Sequence, residues 1–389
     1  MIDVPEASSS TAVGLLGAAR EYAVQLAERA AEFDRTQSLP MDVIESLAVH
    51  GFLGAMIPPE WGGSGVTPSI YGELTEIIGK ACTSTRTLLT VHSSLVAQTL
   101  LDLGSRAIKE KYLRDLATGR RIACFALSED ATGSDAAGVR TRYTRSGDGF
   151  VLDGGKKWIS FAAVADVFLI FASENETVSA FLVERSMPGV TIRPMSGMMG
   201  NRATHMAEII LDGVELPREN VVASVGAGFS FVANTALTHG RYSIAWGGVA
   251  IAQAALEQMC QYAVTRRQFG APIGASQLVR KLIGDVFTEV NAARELCRRA
   301  GELLAHRHVD AVHATNMAKY FSSVVAERAA SSAVQVFGAN GCWEGYPVER
   351  LYREAKILQI IEGTNEMQQM LLADHALKTF SAGPTPTPH

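Results

Sequence analysis

The sequence has little that could staple a fold together or anchor it in a membrane. Its 389 residues include five cysteines: Cys82, Cys124, Cys260, Cys297 and Cys342 lie far apart with no C-x-x-C spacing. That speaks against a disulfide framework or zinc knuckle and fits a reducing, cytoplasmic compartment. No run reaches the roughly 18–20 apolar residues a bilayer-spanning helix needs. The longest greasy stretch, Ala162–Ala172, is interrupted by Asp166 and reads as a buried strand. Met1–Ser10 carries Asp3 and Glu6 and lacks a basic segment leading into an apolar one, so it does not read as a secretory signal. Several enzyme signatures are missing too. Gly226-Ala227-Gly228 is a lone G-x-G, not a dinucleotide fingerprint, and neither a P-loop nor a G-x-S-x-G elbow occurs. His306, His308 and His313 have no H-E-x-x-H or carboxylate scaffold, so no metal site is expected. The net charge of -5 argues against a nucleic-acid coat and leaves room for a local basic patch.

What is present is ample core material. Hydrophobic residues make up 47% of the chain, which excludes global disorder. The texture changes twice. From Ala12 to Arg121 the period is helical: Ala12–Phe33, Met41–His50 behind Pro40, Ile70–Lys80, Ser94–Leu103 and Arg106–Ala117. From Ile122 to Phe231 short apolar runs alternate with turn residues, as in an antiparallel barrel or sandwich. From Asn234 to Phe380 the helical period returns. Leu278, Leu282, Val286 and Val290 form one stripe, and Val309–Phe337 is a long alanine-rich helix. Ser381–His389 reads as a frayed tail. The expected organisation is a helical domain (1–121), a barrel (122–232), a helical bundle (233–380) and a tail (381–389).

Five segments could carry chemistry, and each also has a plain structural reading. In Phe125–Asp135, the hydroxyls of Ser128, Thr132 and Ser134 suit the edge of a flat heterocycle or a pyrophosphate, or form a capped polar turn. In Gly155–Ser160, strand alternation would place Trp158 and Ser160 on one face, to stack on and hydrogen-bond an aromatic ligand; otherwise they are a core Trp and a surface Ser. Arg266-Arg267-Gln268-Phe269-Gly270 could neutralise a diphosphate or end a helix. Gln335–Gly341 stops a helix or lets backbone approach a ligand. In Ile360-Ile361-Glu362-Gly363-Thr364-Asn365-Glu366, Glu362 sits among apolar neighbours that would raise its pKa and make it a usable base; the alternative is an exposed glutamate ahead of a helix capped by Thr364.

Taken in order, these segments resemble the acyl-CoA dehydrogenase superfamily of flavoenzymes. The Ser-Glu…Gly-Ser-Asp loop is followed by Lys-Trp-Ile-Ser, Arg-x-x-Phe-Gly, Gln-x-Phe-Gly and Arg-x-Ala-Lys-Ile…Glu-Gly-Thr-x-Glu, across residues 12–378. The resemblance implies an α+β fold: an N-terminal helical domain, a central antiparallel β-barrel and a C-terminal four-helix bundle. It implies FAD, with Ser128 and Ser160 bonded to the ring, Trp158 against it and Ser134 between flavin and thioester. Arg266, Phe269, Gln335 and Ala339 would hold a neighbouring subunit's FAD in a homodimer or homotetramer, and Thr364 and Glu366 would touch the adenosine. Glu362 matches the family's base and Arg241 an arginine near the substrate.

The sequence also departs from the family pattern. Asp130 replaces the usual Pro, Phe161 the Asn after Trp-Ile-Thr, Ile361 the Tyr before the base, and Thr238 an acidic residue. Phe161 and Ile361 would therefore shape an unusual acyl pocket. Cys82-Thr83-Ser84-Thr85-Arg86 and Gly240–Gly247 look like dehydrogenases of methoxymalonyl-carrier-protein biosynthesis in polyketide pathways. That narrower resemblance implies a small polar acyl group on an acyl carrier protein, with oxidation of a C3 aldehyde or alcohol. A short-chain acyl-CoA α,β-dehydrogenase and a non-catalytic scaffold of the same fold are the competing readings. Carrier proteins are acidic, so Arg280, Lys281, Arg294, Arg298 and Arg299 could form a basic dock or simply a solvated helix face. No motif names the acceptor of the electrons.

Overall fold

A computed structural model describes residues 9–381. The reading of Met1–Ser10 and the tail at 381–389 therefore lie almost wholly outside the described residues. The chain opens with α1 (Ser9–Thr36), α2 (Met41–Val49) and α3 (Pro68–Ala81). Thr67 caps α3 by accepting from the Ile70 N–H, and Pro68 occupies its first turn. Next, α4 (Thr83–Leu88), a π-helical stretch (Leu89–Ala97) and α5 (Gln98–Leu103) run on as one buried rod. The sequence pattern had started this rod only at Ser94. Its first half is buried on every side, so it shows no amphipathic period to read. Ser105 caps α6 (Arg106–Ala117).

The middle of the chain is a seven-stranded curled sheet, formed by β1 (Ala123–Ala126), β2 (Arg142–Ser146), β3 (Gly149–Ile159), β4 (Val167–Glu174), β5 (Thr177–Glu184), β6 (Val190–Pro194) and β7 (Ala207–Leu216). The long pairings β2–β3, β3–β7, β4–β5 and β6–β7 are antiparallel, as expected. β1 and β2 pair with β4 in parallel, so the sheet is mixed. Of the apolar run Ala162–Ala172, only the part from Val167 is strand; Phe161–Ala165 form a turn, with the Val164 and Ala165 N–H groups donating to the Phe161 carbonyl.

The C-terminal part packs α7 (Asn234–Thr265), α8 (Gln277–Ala305), α9 (Ala311–Phe337), α10 (Val348–Leu358) and α11 (Asn365–Phe380), with a small hairpin, β8 (Arg267–Gln268) and β9 (Ala271–Pro272), between α7 and α8. The α8 stripe holds from Val286 and Val290 onward, but Leu278 at its start is 75% exposed. One hydrophobic core runs through all three parts: Leu74 of α3, Phe181 of β5 and Val290 of α8 belong to a single cluster. α7 packs against the rod and also meets α3, α8, α9 and α10. Among the described residues no helix is long and apolar enough to cross a membrane, and no cluster of His, Cys, Asp and Glu could hold a metal ion.

Candidate active site

Glu362 lies in the turn between α10 and α11, in the left-handed region at φ +56, followed by Gly363 at φ +85. Three groups pin this turn through its backbone. Arg241 Nε donates to the Glu362 carbonyl at 2.9 Å. Lys319 Nζ donates to the Gly363 carbonyl at 2.8 Å and to Asn365 Oδ1 at 3.1 Å. Gln368 Nε2 reaches the Gly363 carbonyl at 3.2 Å. Behind them Asn316 Oδ1 accepts from Arg241 and Asn365 Oδ1 from Ser323.

The backbone bonds leave the side chain free. Glu362 Oε2 is buried without a partner. A Cβ at Gly240 would lie 2.9 Å from that oxygen and 2.5 Å from Leu95 Cδ2, so the missing side chain makes room for the carboxylate. Burial pushes the Glu362 pKa up to about 7, against the opposing pull of Arg241, Lys319 and Arg86. The same burial pushes Lys319 down to about 7. Ile361 is half-buried beside the base. Thr364 caps α11 by accepting from the Met367 N–H, and Glu366 is exposed in the first turn.

The sequence reading missed Lys319, Asn316, Asn365 and Gln368. Lys319 had a legible signal, because it falls on the buried stripe Thr315, Ser322, Ala326, Ala329 of α9, where a lysine needs a fixed partner.

A second group of expected residues meets at the end of β3. The Lys157 N–H donates to the Ser128 carbonyl at 3.0 Å, which joins the 125–135 loop to this strand end. Beneath it Lys156 Nζ lies 2.6 Å from Glu129 Oε1 in a buried ion pair. Glu129 also accepts from the N–H groups of Arg140 and Thr141 and from the Thr141 hydroxyl. Alternation does not aim Trp158 and Ser160. The β3–β7 register slips between Lys156 and Ile159, and Trp158 has φ +64. This bulge turns Trp158 outward, 48% exposed, with Ser160 half-buried after it.

Thr132 Oγ1 is buried without a partner, and Ser134 is exposed. An outward aromatic ring, nearby hydroxyls and an orphaned polar atom fit the edge of a flat polar heterocycle. Phe161, by contrast, has no exposed surface and packs against the His205 ring.

A third group lies on the outside of the bundle. Arg266 and Ala339 line one groove with Tyr262, Gln268, Ile273 and Asn340, a cavity of about 250 Å³. Phe269 stands fully exposed at the hairpin tip and Gln335 is exposed on the last turn of α9. The basic dock on α8 is largely neutralised. Arg294 pairs with Glu76 at 2.7 Å, and Lys281, Arg298 and Arg299 each pair with an acid one turn away.

Models of the acyl-CoA dehydrogenase N-terminal, middle and C-terminal domains match residues 14–120, 124–214 and 226–377. A curated acyl-CoA dehydrogenase of Bacillus subtilis (strain 168) is 35% identical over 364 residues, 92% of this chain and 96% of its own. The chain belongs to the acyl-CoA dehydrogenase family. It is thus an FAD-dependent oxidoreductase acting on acyl thioesters.

Solved structures of the family match most of the chain. Butyryl-CoA dehydrogenase from Megasphaera elsdenii is similar at TM-score 0.92 and 31% identity, covering 95% of this chain and 98% of that one. FkbI, for biosynthesis of the methoxymalonyl extender unit of the Fk520 polyketide, is similar at TM-score 0.86 and 35% identity, covering 92% and 99%. PigA, solved with FAD and proline, is similar at TM-score 0.89 and 25% identity, covering 95% and 98%.

Proposed function

We propose that this acyl-CoA dehydrogenase family member oxidises a small polar acyl group held as a thioester on an acyl carrier protein, in polyketide or related secondary metabolism. The observation that carries a catalytic reading is Glu362 Oε2, buried without a partner beside Gly240, on a carboxyl whose pKa is pushed up to about 7. A group so placed holds no proton above about pH 7 and has no protein donor to satisfy it, so a substrate proton is its natural partner. Similarity to FkbI favours the carrier-bound, C3-oxidised substrate.

FAD supplies the two-electron acceptor for this chemistry when bound. Glu362 removes the proton, from the α-carbon of a thioester or from the oxygen of a C3 alcohol or hydrated aldehyde. Arg241 and Lys319 fix the turn from which Glu362 reaches the substrate. Trp158, Ser128 and Ser160 orient the ring, Ser134 lines the passage to the thioester, and Arg241 and Ile361 shape the acyl end, while Phe161, packed against His205 without exposed surface, does not reach it. Thr364 and Glu366 lie toward the adenosine.

Exposed Phe269, Leu278, Phe287 and Trp343 favour a homodimer or homotetramer in which Arg266, Phe269, Gln335 and Ala339 meet a neighbour's FAD. Similarity to butyryl-CoA dehydrogenase favours a second reading, a short-chain acyl-CoA α,β-dehydrogenase. Anaerobic mixing separates the two. Flavin bleaching by a glyceryl- or semialdehyde-carrier protein is the expected result; bleaching by butyryl-CoA alone would sink the carrier-protein reading.

A further inference from the structure

Ser160 leads from the end of β3 into the Phe161–Ala165 turn, and the backbone around it is strained. Trp158 and Phe161 have φ +64 and +63, so a left-handed residue stands on each side of Ile159-Ser160. Such backbone persists only where its surroundings over-determine it. Main chain fixes the N–H side of the turn. Phe161 donates to the Thr204 carbonyl at 2.6 Å, and Ala163 to the His205 carbonyl at 3.1 Å. One side chain fixes the carbonyl side. Arg185, the residue after β5, donates from Nε to the Ala165 carbonyl at 2.6 Å and from Nη2 to the Ala162 carbonyl at 2.5 Å.

Ala162 and Ala165 have no exposed surface, and a buried carbonyl needs a donor. The side-on edge of a guanidinium presents two N–H groups in a fixed plane, so a single side chain ties the two ends of the turn together. The guanidinium is itself held. The Arg185 N–H donates to the Asp166 carbonyl at 2.9 Å, and Cζ lies 5.7 Å from the centre of the Phe168 ring. Asp166, the acid at the close of the turn, is engaged elsewhere: its Oδ2 accepts from the Ile122 N–H at 2.8 Å. Among the described residues no acid forms an ion pair with Arg185, and both side-chain bonds it makes go to main chain just beyond Ser160.

We infer that Arg185 is a positioning residue for the flavin: by closing the turn at Ala162 and Ala165 it holds the Ser160 hydroxyl at the edge of the ring. The inference rests on the reading of Ser160 as a ring contact. A neutral side chain of similar length leaves both carbonyls without donors, and the turn then relaxes from the end that carries Ser160.

The test uses the FAD-loaded enzyme. FAD release is followed by the rise of flavin fluorescence on dilution, and the visible absorbance of the bound flavin reports the hydrogen bonds at the ring. Arg185→Met should release FAD about tenfold or more faster than wild type and shift the visible band. Arg185→Lys, which can still donate to the carbonyls, should recover most of both. Ser160→Ala completes a double-variant cycle. Alone it should speed release and shift the band. Adding Arg185→Met to it should speed release only about threefold or less further, because the hydroxyl that Arg185 positions is already gone. An Arg185→Met effect of the same size with and without Ser160 overturns the proposal. So does a lower melting temperature with release and spectrum unchanged, which would make Arg185 a structural residue. If Ser160→Ala changes neither release nor spectrum, the placing of Ser160 at the ring is what fails, and this inference falls with it. Should Arg185→Met not load FAD, Arg185→Gln, which keeps one donor group, makes the same comparison.

Discussion

Arg241 donates to the main-chain carbonyl of Glu362 at 2.9 Å, and not to its carboxylate. The bond is spent on holding the turn, so the cation stabilises the ionised side chain only through space. Burial therefore wins, and the carboxyl titrates at about 7 instead of 4.5. Two consequences follow in opposite directions. Activity needs the ionised form, so kcat/KM should fall about tenfold per pH unit below about 7. Stability prefers the protonated form: the folded state binds the proton more tightly than the unfolded chain, so ionising Glu362 weakens the fold as pH rises from 4.5 to about 7. Glu362→Gln should thus retain FAD, lose about 10²–10⁴ in turnover together with the acid limb, and melt higher than wild type at pH 8. A variant with near wild-type turnover, or one that melts lower at pH 8, would contradict this.

Lys319 acts on the base in two ways. Its ammonium fixes the Gly363 carbonyl and Asn365, and its charge lowers the Glu362 pKa. Lys319→Met should therefore move the acid limb of kcat/KM to higher pH and lower kcat about tenfold. Lys319→Arg keeps the charge and should hold the limb in place. A melting-temperature loss with no movement of the limb would reduce Lys319 to a structural role.

The residues that do the pinning were the hardest to read in advance. Glu362 carries a local mark in its neighbours Ile360, Ile361 and Gly363, although the same stretch reads equally as an exposed glutamate ahead of a helix. Thr67, Ser105 and Thr364 are legible as caps because a cap is a local, one-turn interaction. Asn316 and Gln368 carry no such local mark: each matters only because another helix brings Arg241 or Gly363 to it. The three textures were visible as changes of period, but the parallel pairing of β1 with β4 joins segments separated by more than forty residues, and alternation says nothing of strand direction. Strand alternation, the basis for pairing Trp158 with Ser160, does not set the ring's direction, since a bulge and not a regular strand exposes it.

The Glu129–Lys156 pair gives a prediction on stability. Burial alone would raise the Glu129 pKa, but the Lys156 charge and the Thr141 bonds hold it below its ordinary 4.5. The stabilisation it contributes is therefore present above pH 4.5 and lost as pH falls through the lower, folded value. Lys156→Met should cost about 3–5 kcal/mol, because it leaves a buried carboxylate without its cation. The double variant with Glu129→Gln should recover part of that loss. Acid melts of wild type, Lys156→Met, Glu129→Gln and the double variant check this: additive losses would mean that the two side chains do not act as a pair. The same variants should lose FAD more readily, because the pair underlies the strand end that carries Trp158.

Gly240 separates packing from chemistry. An alanine there gains about 1 kcal/mol in helix propensity over glycine, and overpacking costs about 1–3 kcal/mol. The atoms in its way are Leu95 Cδ2 at 2.5 Å and Glu362 Oε2 at 2.9 Å, both ends of side chains that can swing aside, so the net change in stability should be small. The carboxylate cannot swing aside without leaving the position from which it takes a proton. A shift of about 1 Å in a reacting group costs about 10²-fold in rate. Gly240→Ala should therefore melt within a few degrees of wild type while kcat falls about 10–100-fold. Gly14→Ala on the exposed face of α1 has nothing within 4 Å of the new carbon and serves as the control, gaining stability at unchanged rate. Should Gly240→Ala turn over like wild type, the space at this glycine serves only Leu95 and does not position the carboxylate.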